Sequence, residues 1–318
     1  MRVLVTGAQG CIGAWCVKQL LERDIDVLIY DRVAEATRLS LLITPEQMAR
    51  ARTIVGQIED TASLKQIVRD EGITHILHLA AVLMPFCQAN PVAGGMINVI
   101  GTLNVFEAAR DAGRDVRIAY ASSSAVWGPE ELYESRALNE ADPLHPGTHY
   151  GIFKMTNEQN ARVFYSTNGI SSIGLRPWTV YGVGRDVGLT SGPSLAMRGV
   201  VAGEPYQIGV TGFMDLQYVE DVANTFLEVL LTTKPGAHVY NLAGDVIEMQ
   251  AFVTELDRLR PGAASLITCA GNKVPVCPRL DNSALLADFP HLPHTPLVEG
   301  MEKTLGIFER LKAEGRLP

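Results

Sequence analysis

Residues 2–13 read RVLVTGAQGCIG. The first part is an apolar, β-branched run that predicts a strand over 2–7, and the second sets Gly7, Gly10 and Gly13 in a GxxGxxG spacing. Glycines so placed permit a tight turn, a close backbone approach to a pyrophosphate, and packing of helix on strand. CIGAWCVKQLLERD (11–24) follows with helical periodicity, so the positive end of its dipole would face the phosphates. A second strand, DVLIYD (26–31), ends on Asp31. A carboxylate there can accept hydrogen bonds from both hydroxyls of an adenosine ribose, and it repels a 2′-phosphate. The combination predicts NAD rather than NADP; Arg32, directly after the acid, is the only hint of NADP.

The same alternation continues outward. ASLKQIVRDEG (62–72) predicts a helix closed by Gly72, and HILHLAA (75–81) a third buried strand. A long helix is expected over 96–113, a fourth strand over 117–124, a helix from residue 150, and a strand over 171–177. Near-continuous apolar strands separated by helices mark a parallel sheet covered on both faces. Beyond residue 178 the pattern loosens into short elements punctuated by Pro and Gly, with no internal repeat or low-complexity tract.

With 318 residues, 47% hydrophobic and 19% charged, the composition is that of a soluble globular protein. The formal net charge is −8 and no basic run suited to phosphate tracking is visible, which sets nucleic-acid binding aside. No signal-peptide pattern and no uninterrupted apolar stretch of membrane-spanning length is read, so a cytoplasmic protein without a membrane partner is expected. Five scattered cysteines form no CxxC pair and read as small thiols in a reducing compartment, with no metal site; Cys11 stands out because it lies in the glycine loop.

THYGIFK (148–154) places Tyr150 four residues before Lys154, on one helix face a turn apart. Such a pair can be ordinary amphipathic packing. It can also be a proton-transferring phenol whose pKa is lowered by a neighbouring cation. Upstream, SSSAVWG (122–128) puts a run of serines at a strand end, where turn or capping chemistry is the plainer alternative.

Taken together, GAQGCIG (7–13), Asp31, HLAA (78–81), NVIGTLNV (98–105), SSSAVWG, YGIFK (150–154), LRPWTVYG (175–182) and DLQYVEDVA (215–223) resemble the extended short-chain dehydrogenase/reductase superfamily, and its NAD-dependent epimerase/dehydratase branch most. The resemblance implies an α/β fold, a Rossmann-type doubly wound parallel sheet with a smaller C-terminal substrate-binding lobe. The NAD-binding domain would comprise 1–178 with 214–242, and the lobe 179–213 with 243–318. Cofactor contacts would come from Gly7, Gln9, Gly10, Cys11, Ile12 and Gly13; from Asp31, Arg32, Gln57, Ile58, Leu79, Ala80 and Ala81; and from Asn98, Ala121, Ser122, Pro177 and Thr179. Asn98 would sit by the fourth strand, 117–124, and support the nicotinamide side. Tyr150 would be the proton donor or acceptor, with Lys154 on the nicotinamide ribose and depressing the phenol pKa. Ser123 would be the catalytic serine, with Ser124 an adjacent rival. Leu83, Met84 and Pro85 would wall the substrate pocket opposite, with Thr179 near it and Arg185 the leading candidate for a substrate carboxylate. A homodimer through the 96–113 and 150–168 helices is implied as well.

Departures from the family pattern narrow the substrate. Met214 stands where many nucleotide-sugar members carry a diphosphate-binding Arg, and no second Arg lies at the usual place upstream of Asp281, Lys273 and Arg279 being nearest. Thr179 replaces a usual Asn, and Gln57 a usual Asp. A diphosphate needs basic partners. The expected function is therefore NAD-dependent oxidation of a secondary hydroxyl on a small sugar, sugar acid or other polyhydroxy compound. The alternatives are a nucleotide-sugar epimerase or dehydratase that keeps and recycles NAD, and a non-catalytic NAD-binding regulator.

Overall fold

The computed structural model describes residues 1–134 and 136–318. The strands among them are β1 (Arg2–Thr6), β2 (Asp26–Asp31), β3 (Arg52–Val55), β4 (His75–His78), β5 (Arg117–Ala121), β6 (Ser172–Arg176), β7 (Thr179–Tyr181), β8 (Tyr206–Ile208), β9 (Phe213–Tyr218), β10 (Ala237–Asn241), β11 (Asp245–Glu248) and β12 (Ile267–Cys269). Seven form one sheet in the order β10-β6-β5-β4-β1-β2-β3, and every pairing in it is parallel. The order reverses between β1 and β4, the switch point at which a doubly wound sheet opens a crevice beyond its strand C-termini.

Alternation along the strands divides the core. Val3, Val5, Val27 and Ile29 belong to one buried cluster, while Leu4, Leu28, Tyr30 and Ile76 belong to another on the opposite face. Helices Cys11–Glu22 and Val219–Leu231 pack together on one side, and Thr61–Asp70 with Gly101–Arg110 on the other. Both faces of the central strands are thereby removed from water, which accounts for their near-continuous apolar interiors.

The expected strands are present but several end early. β4 stops at His78 and β5 at Ala121, so Leu79–Val82 and Ser122–Ser124 leave the ladder and are free to line the crevice. β3 escapes the sequence reading because RTIV is short and mostly exposed at the sheet edge. The helix expected over 96–113 begins as a π-helical turn, Met96–Ile100, and becomes regular only over Gly101–Arg110. With the preceding turns it forms a continuous run, Pro91–Arg110, that is long and apolar enough by length and composition to span a membrane; half of it is buried within the fold. Asn98, Thr102, Asn104 and Glu107 interrupt it, and the turns before Met96 extend the helix beyond the segment that periodicity marks out.

Outside the large sheet, β9 pairs with β7 in parallel and with β11 antiparallel, and β8 pairs with β12. The loops joined to these elements, Gly184–Thr190 after β7 and Val274–Val276 after β12, line the crevice together with Val180 of β7.

Candidate active site

A cleft of about 650 Å³ runs over the C-terminal ends of β1 and β4, within the size range of small-molecule sites. At its floor, Gly7 adopts φ 71°, and a Cβ there would sit 2.6 Å from the Ala80 nitrogen. No other residue lets the loop after β1 lie so close to the strand end of β4. Asp31 accepts a hydrogen bond from the Gln9 amide at 2.9 Å, which ties the acid to the glycine loop. The Gln9 side chain is buried, lines the cleft, and has no partner on either its oxygen or its nitrogen. A buried carboxamide left unpaired costs about 1–3 kcal/mol, so a ligand with hydroxyls or phosphoryl oxygens fits this corner. Glycine loop, ribose-reading acid and unsatisfied amide together suit a dinucleotide, and these residues would hold its adenosine and pyrophosphate.

Cys11 also lines the cleft, but burial pushes its thiol up to about 12, so it packs as a neutral thiol. Gly10, Ile12, Gly13, Arg32, Gln57, Ile58, Leu79, Ala80, Ala81, Ala121, Ser122 and Pro177 are on the cleft wall where the resemblance puts them. Two residues are not. Asn98 is fully buried behind the wall, where its amide oxygen accepts from the Val82 nitrogen at 2.8 Å and its nitrogen donates to the Val82 carbonyl at 2.9 Å. It buttresses the segment after Ala81 from behind and is off the wall itself. Thr179 is likewise fully buried and off the wall, whereas Trp178 and Val180 are on it. Side chains alternate along a strand, so the residue between two wall residues faces away. Its assignment to cofactor and substrate is corrected accordingly.

The proton-transfer corner is built by a close approach of two elements. The helix His149–Asn168 is capped by Thr148, whose hydroxyl accepts from the Gly151 nitrogen at 3.1 Å. A Cβ on Gly151 would lie 2.1 Å from the Ala125 carbonyl oxygen, so glycine is what lets this helix dock against the serine turn. The docking sets Tyr150 and Ser123 on the same stretch of cleft wall, with the Ser123 hydroxyl acting to lower the Tyr150 pKa. Ser123 Oγ accepts from the Ala125 nitrogen at 3.1 Å. Its neighbours are held differently: Ser122 donates to Glu158 at 2.5 Å, and Ser124 is buried with its amide bonded to the Pro177 carbonyl. One turn along, Lys154 is buried, donates to the Ala121 carbonyl at 2.6 Å, and lies 5.6 Å from the centroid of the Tyr150 ring.

Electrostatics here differ from the sequence expectation. Burial pushes the Tyr150 hydroxyl above its usual value; the Ser123 hydrogen bond and the Arg185 charge oppose this without overcoming it. Lys154, itself desolvated, falls to about 8, with Cys87 and Glu158 pulling the other way. The lowered phenol that the Tyr–Lys spacing suggested is thus absent from the chain alone, because desolvating a phenolate outweighs the Ser123 and Arg185 effects that oppose it.

At the substrate end the wall is largely apolar, with Leu83, Met84, Pro85 and Phe86 on one side and Val274–Val276 on another. Arg185 enters it from the loop after β7, with one guanidinium nitrogen donating to Thr190 Oγ1 at 3.1 Å and Nε buried without a partner. Met214 is fully buried and off the wall. Arg279 is drawn to Glu130 and stands 5.6 Å from the Phe213 ring centroid, and Lys273 packs its stem over Gly212. Sequence reasoning missed Trp178, Arg38 and Asp186 on the wall, since none lies in a motif with a recognisable spacing.

A parallel sheet with a glycine loop at its switch point, and a Ser, Tyr and Lys gathered beside it, define a dinucleotide-dependent protein of the short-chain dehydrogenase/reductase type. The chain matches the model of the NAD dependent epimerase/dehydratase family over residues 3–243 and belongs to that family, whose cofactor is NAD. It is 32% identical over 188 residues to a UDP-glucose 4-epimerase of Lactobacillus helveticus, covering 58% of this chain and 54% of that protein. The match thus spans about half the length of this curated relative. Among solved structures it superposes on the Thermus thermophilus UDP-glucose 4-epimerase in complex with NAD, with a TM-score of 0.81, 24% identity and coverage of 97% and 99%. A partial-consensus L-threonine 3-dehydrogenase gives 0.85, 22%, and coverage of 98% and 100%. Likeness at that level of identity establishes the shared fold.

Proposed function

We propose that this protein is an NAD-dependent dehydrogenase that oxidises a secondary hydroxyl of a free sugar acid, sugar or related polyhydroxy compound and releases the product. The observation that carries this reading is the substrate end of the cleft, a largely apolar chamber whose wall carries both Arg185 and Tyr150. Bound NAD supplies the hydride acceptor and a cationic ring. The chain's own residues do the rest. Tyr150 takes the hydroxyl proton, Ser123 donates a hydrogen bond to the substrate oxygen, and Lys154 holds positive charge beside the phenol. Arg185, with an unpaired Nε, offers a carboxylate a charge-assisted hydrogen bond.

A second reading, a nucleotide-sugar epimerase or dehydratase that recycles NAD, is favoured by the names of the relatives. The two are separable. A diphosphate would have to be bound with neutral, buried Met214 in place of an arginine and without Arg279 or Lys273 on the wall. Each missing bidentate contact is worth about 1.5–3 kcal/mol, roughly ten- to a hundredfold in affinity. Calorimetry with UDP and TDP in the presence of NAD is expected to show only weak binding, in about the millimolar range. A screen of free sugars, uronates and aldonates is expected to yield NADH. Arg185→Ala should then raise KM for an acidic substrate roughly ten- to a hundredfold with a smaller change in kcat. Tight nucleoside diphosphate binding without net NADH from any free compound would select the epimerase reading.

We also propose a homodimer. Met96 and Ile100 on one helix, and Ile152, Val163 and Tyr165 on the neighbouring one, are exposed apolar side chains that a second copy would cover. Sedimentation is expected to show a dimer at micromolar concentration that Val163→Glu converts to monomer. A parent protein that sediments as a monomer refutes this.

A further inference from the structure

We propose that Arg38 and Asp186 are positioning residues that fasten the loop 182–191 across the cofactor cleft, so that the ion pair must open before the cofactor leaves. Both residues line the cleft, from segments far apart in the chain. Arg38 sits on the short helix Thr37–Ser40, beyond the ribose-reading acid, and Asp186 sits on the loop that also carries Arg185. They make a forked contact, Nε to both carboxylate oxygens at 3.0 Å and Nη2 to one at 2.7 Å.

The remaining nitrogen of Arg38, Nη1, donates to the Gln9 carbonyl at 2.8 Å, so the same guanidinium grips the glycine loop and the far loop at once. A few residues earlier, the carbonyl of Val183 accepts from Trp15 Nε1 at 2.9 Å, a second tie to the glycine-loop side. The loop is therefore held at two points by residues 15 and 38. Between them Arg185 reaches toward Tyr150 and Thr190. The Val183 tie is buried, whereas Arg38 and Asp186 side chains are 24% and 39% exposed. The exposed pair is the tie that can open, because its charges exchange one another for water at little cost. A loop tethered this way closes over whatever occupies the glycine-loop corner, and release waits for its opening.

The test is cofactor release, read apart from turnover. The protein is loaded with NADH and mixed with excess NAD, and the decay of bound NADH fluorescence is followed. Asp186→Asn and Arg38→Met are each expected to speed release about three- to tenfold. Asp186→Glu, which keeps the charge, should release near the parent rate. The Arg38→Met/Asp186→Asn double variant should be no faster than the faster single one, since both remove the same contact. Raised salt should speed release from the parent more than from the variants. Parent-like release from both single variants overturns the proposal. So does acceleration by Arg38→Met alone, which would assign Arg38 to the glycine loop through Gln9 and leave the far loop unfastened.

Discussion

Replacing Tyr150 with Phe is expected to lower turnover about 100- to 10,000-fold while NAD binding stays near normal. The substitution removes the hydroxyl that meets Ser123 and keeps the ring beside Lys154. Packing and the cofactor's surroundings are thus unchanged, and only the proton path is lost. In the parent protein the phenol is raised by burial, so the oxidation rate should climb with pH above neutrality as Tyr150 gives up its proton. The Phe variant should lose that rising limb. Assaying NADH production against pH, together with calorimetric NAD affinity, separates the outcomes. A variant with near-normal turnover and an unaltered profile would place the proton path elsewhere.

The second large effect concerns stability. Glu158 lies two turns along the helix from Tyr150 and is 2% exposed. Its carboxylate accepts from Arg176 Nε at 2.8 Å, from Arg176 Nη2 at 2.7 Å and from Ser122 Oγ at 2.5 Å. The Arg176 guanidinium also faces the Trp127 ring, 4.7 Å from its centroid. Glu158→Leu should cost about 3–5 kcal/mol, because it strands a buried cation, and urea unfolding would show this as an earlier midpoint at unchanged slope. Glu158→Leu combined with Arg176→Met should recover much of the loss, since an apolar pair of similar volume carries no charge to strand. The single variant should also pull Lys154 below about 8, because Glu158 is one of the groups holding it up. A cost below about 1 kcal/mol for the single variant would mean that water reaches this pair.

Legibility in the sequence follows the range of the interactions. The glycine loop, Asp31, and the Tyr150–Lys154 spacing are local, each set by a turn or a helical repeat within one element, and all of them lie on the cleft wall. The serine is legible to within one position. Ser122, Ser123 and Ser124 have the same chemistry and all lie on the cleft wall, and what distinguishes them is that Glu158 takes the first, the Gly151 approach brings the Tyr150 helix to the second, and the third is held through its amide by the Pro177 carbonyl. Asn98 and Thr179 go astray for the converse reason. Motif position gives their neighbourhood, while the side on which each side chain emerges is fixed by a π-helical turn and by strand alternation.

The sequence by itself determined the doubly wound class and made legible the glycine loop, Asp31 and the Tyr150–Lys154 pair on the cleft wall, because periodicity and short spacings encode local geometry. Tertiary structure alone decided three further things. It raised the Tyr150 pKa, since desolvation depends on everything packed around the ring. It kept Met214, Lys273 and Arg279 off the cleft wall and put Arg185 on the same wall as Tyr150. It also joined Arg38 to Asp186, 148 residues apart in the chain. Burial and ion pairing across such distances depend on how the sheet's two ends fold together, and no window of neighbouring residues contains that information.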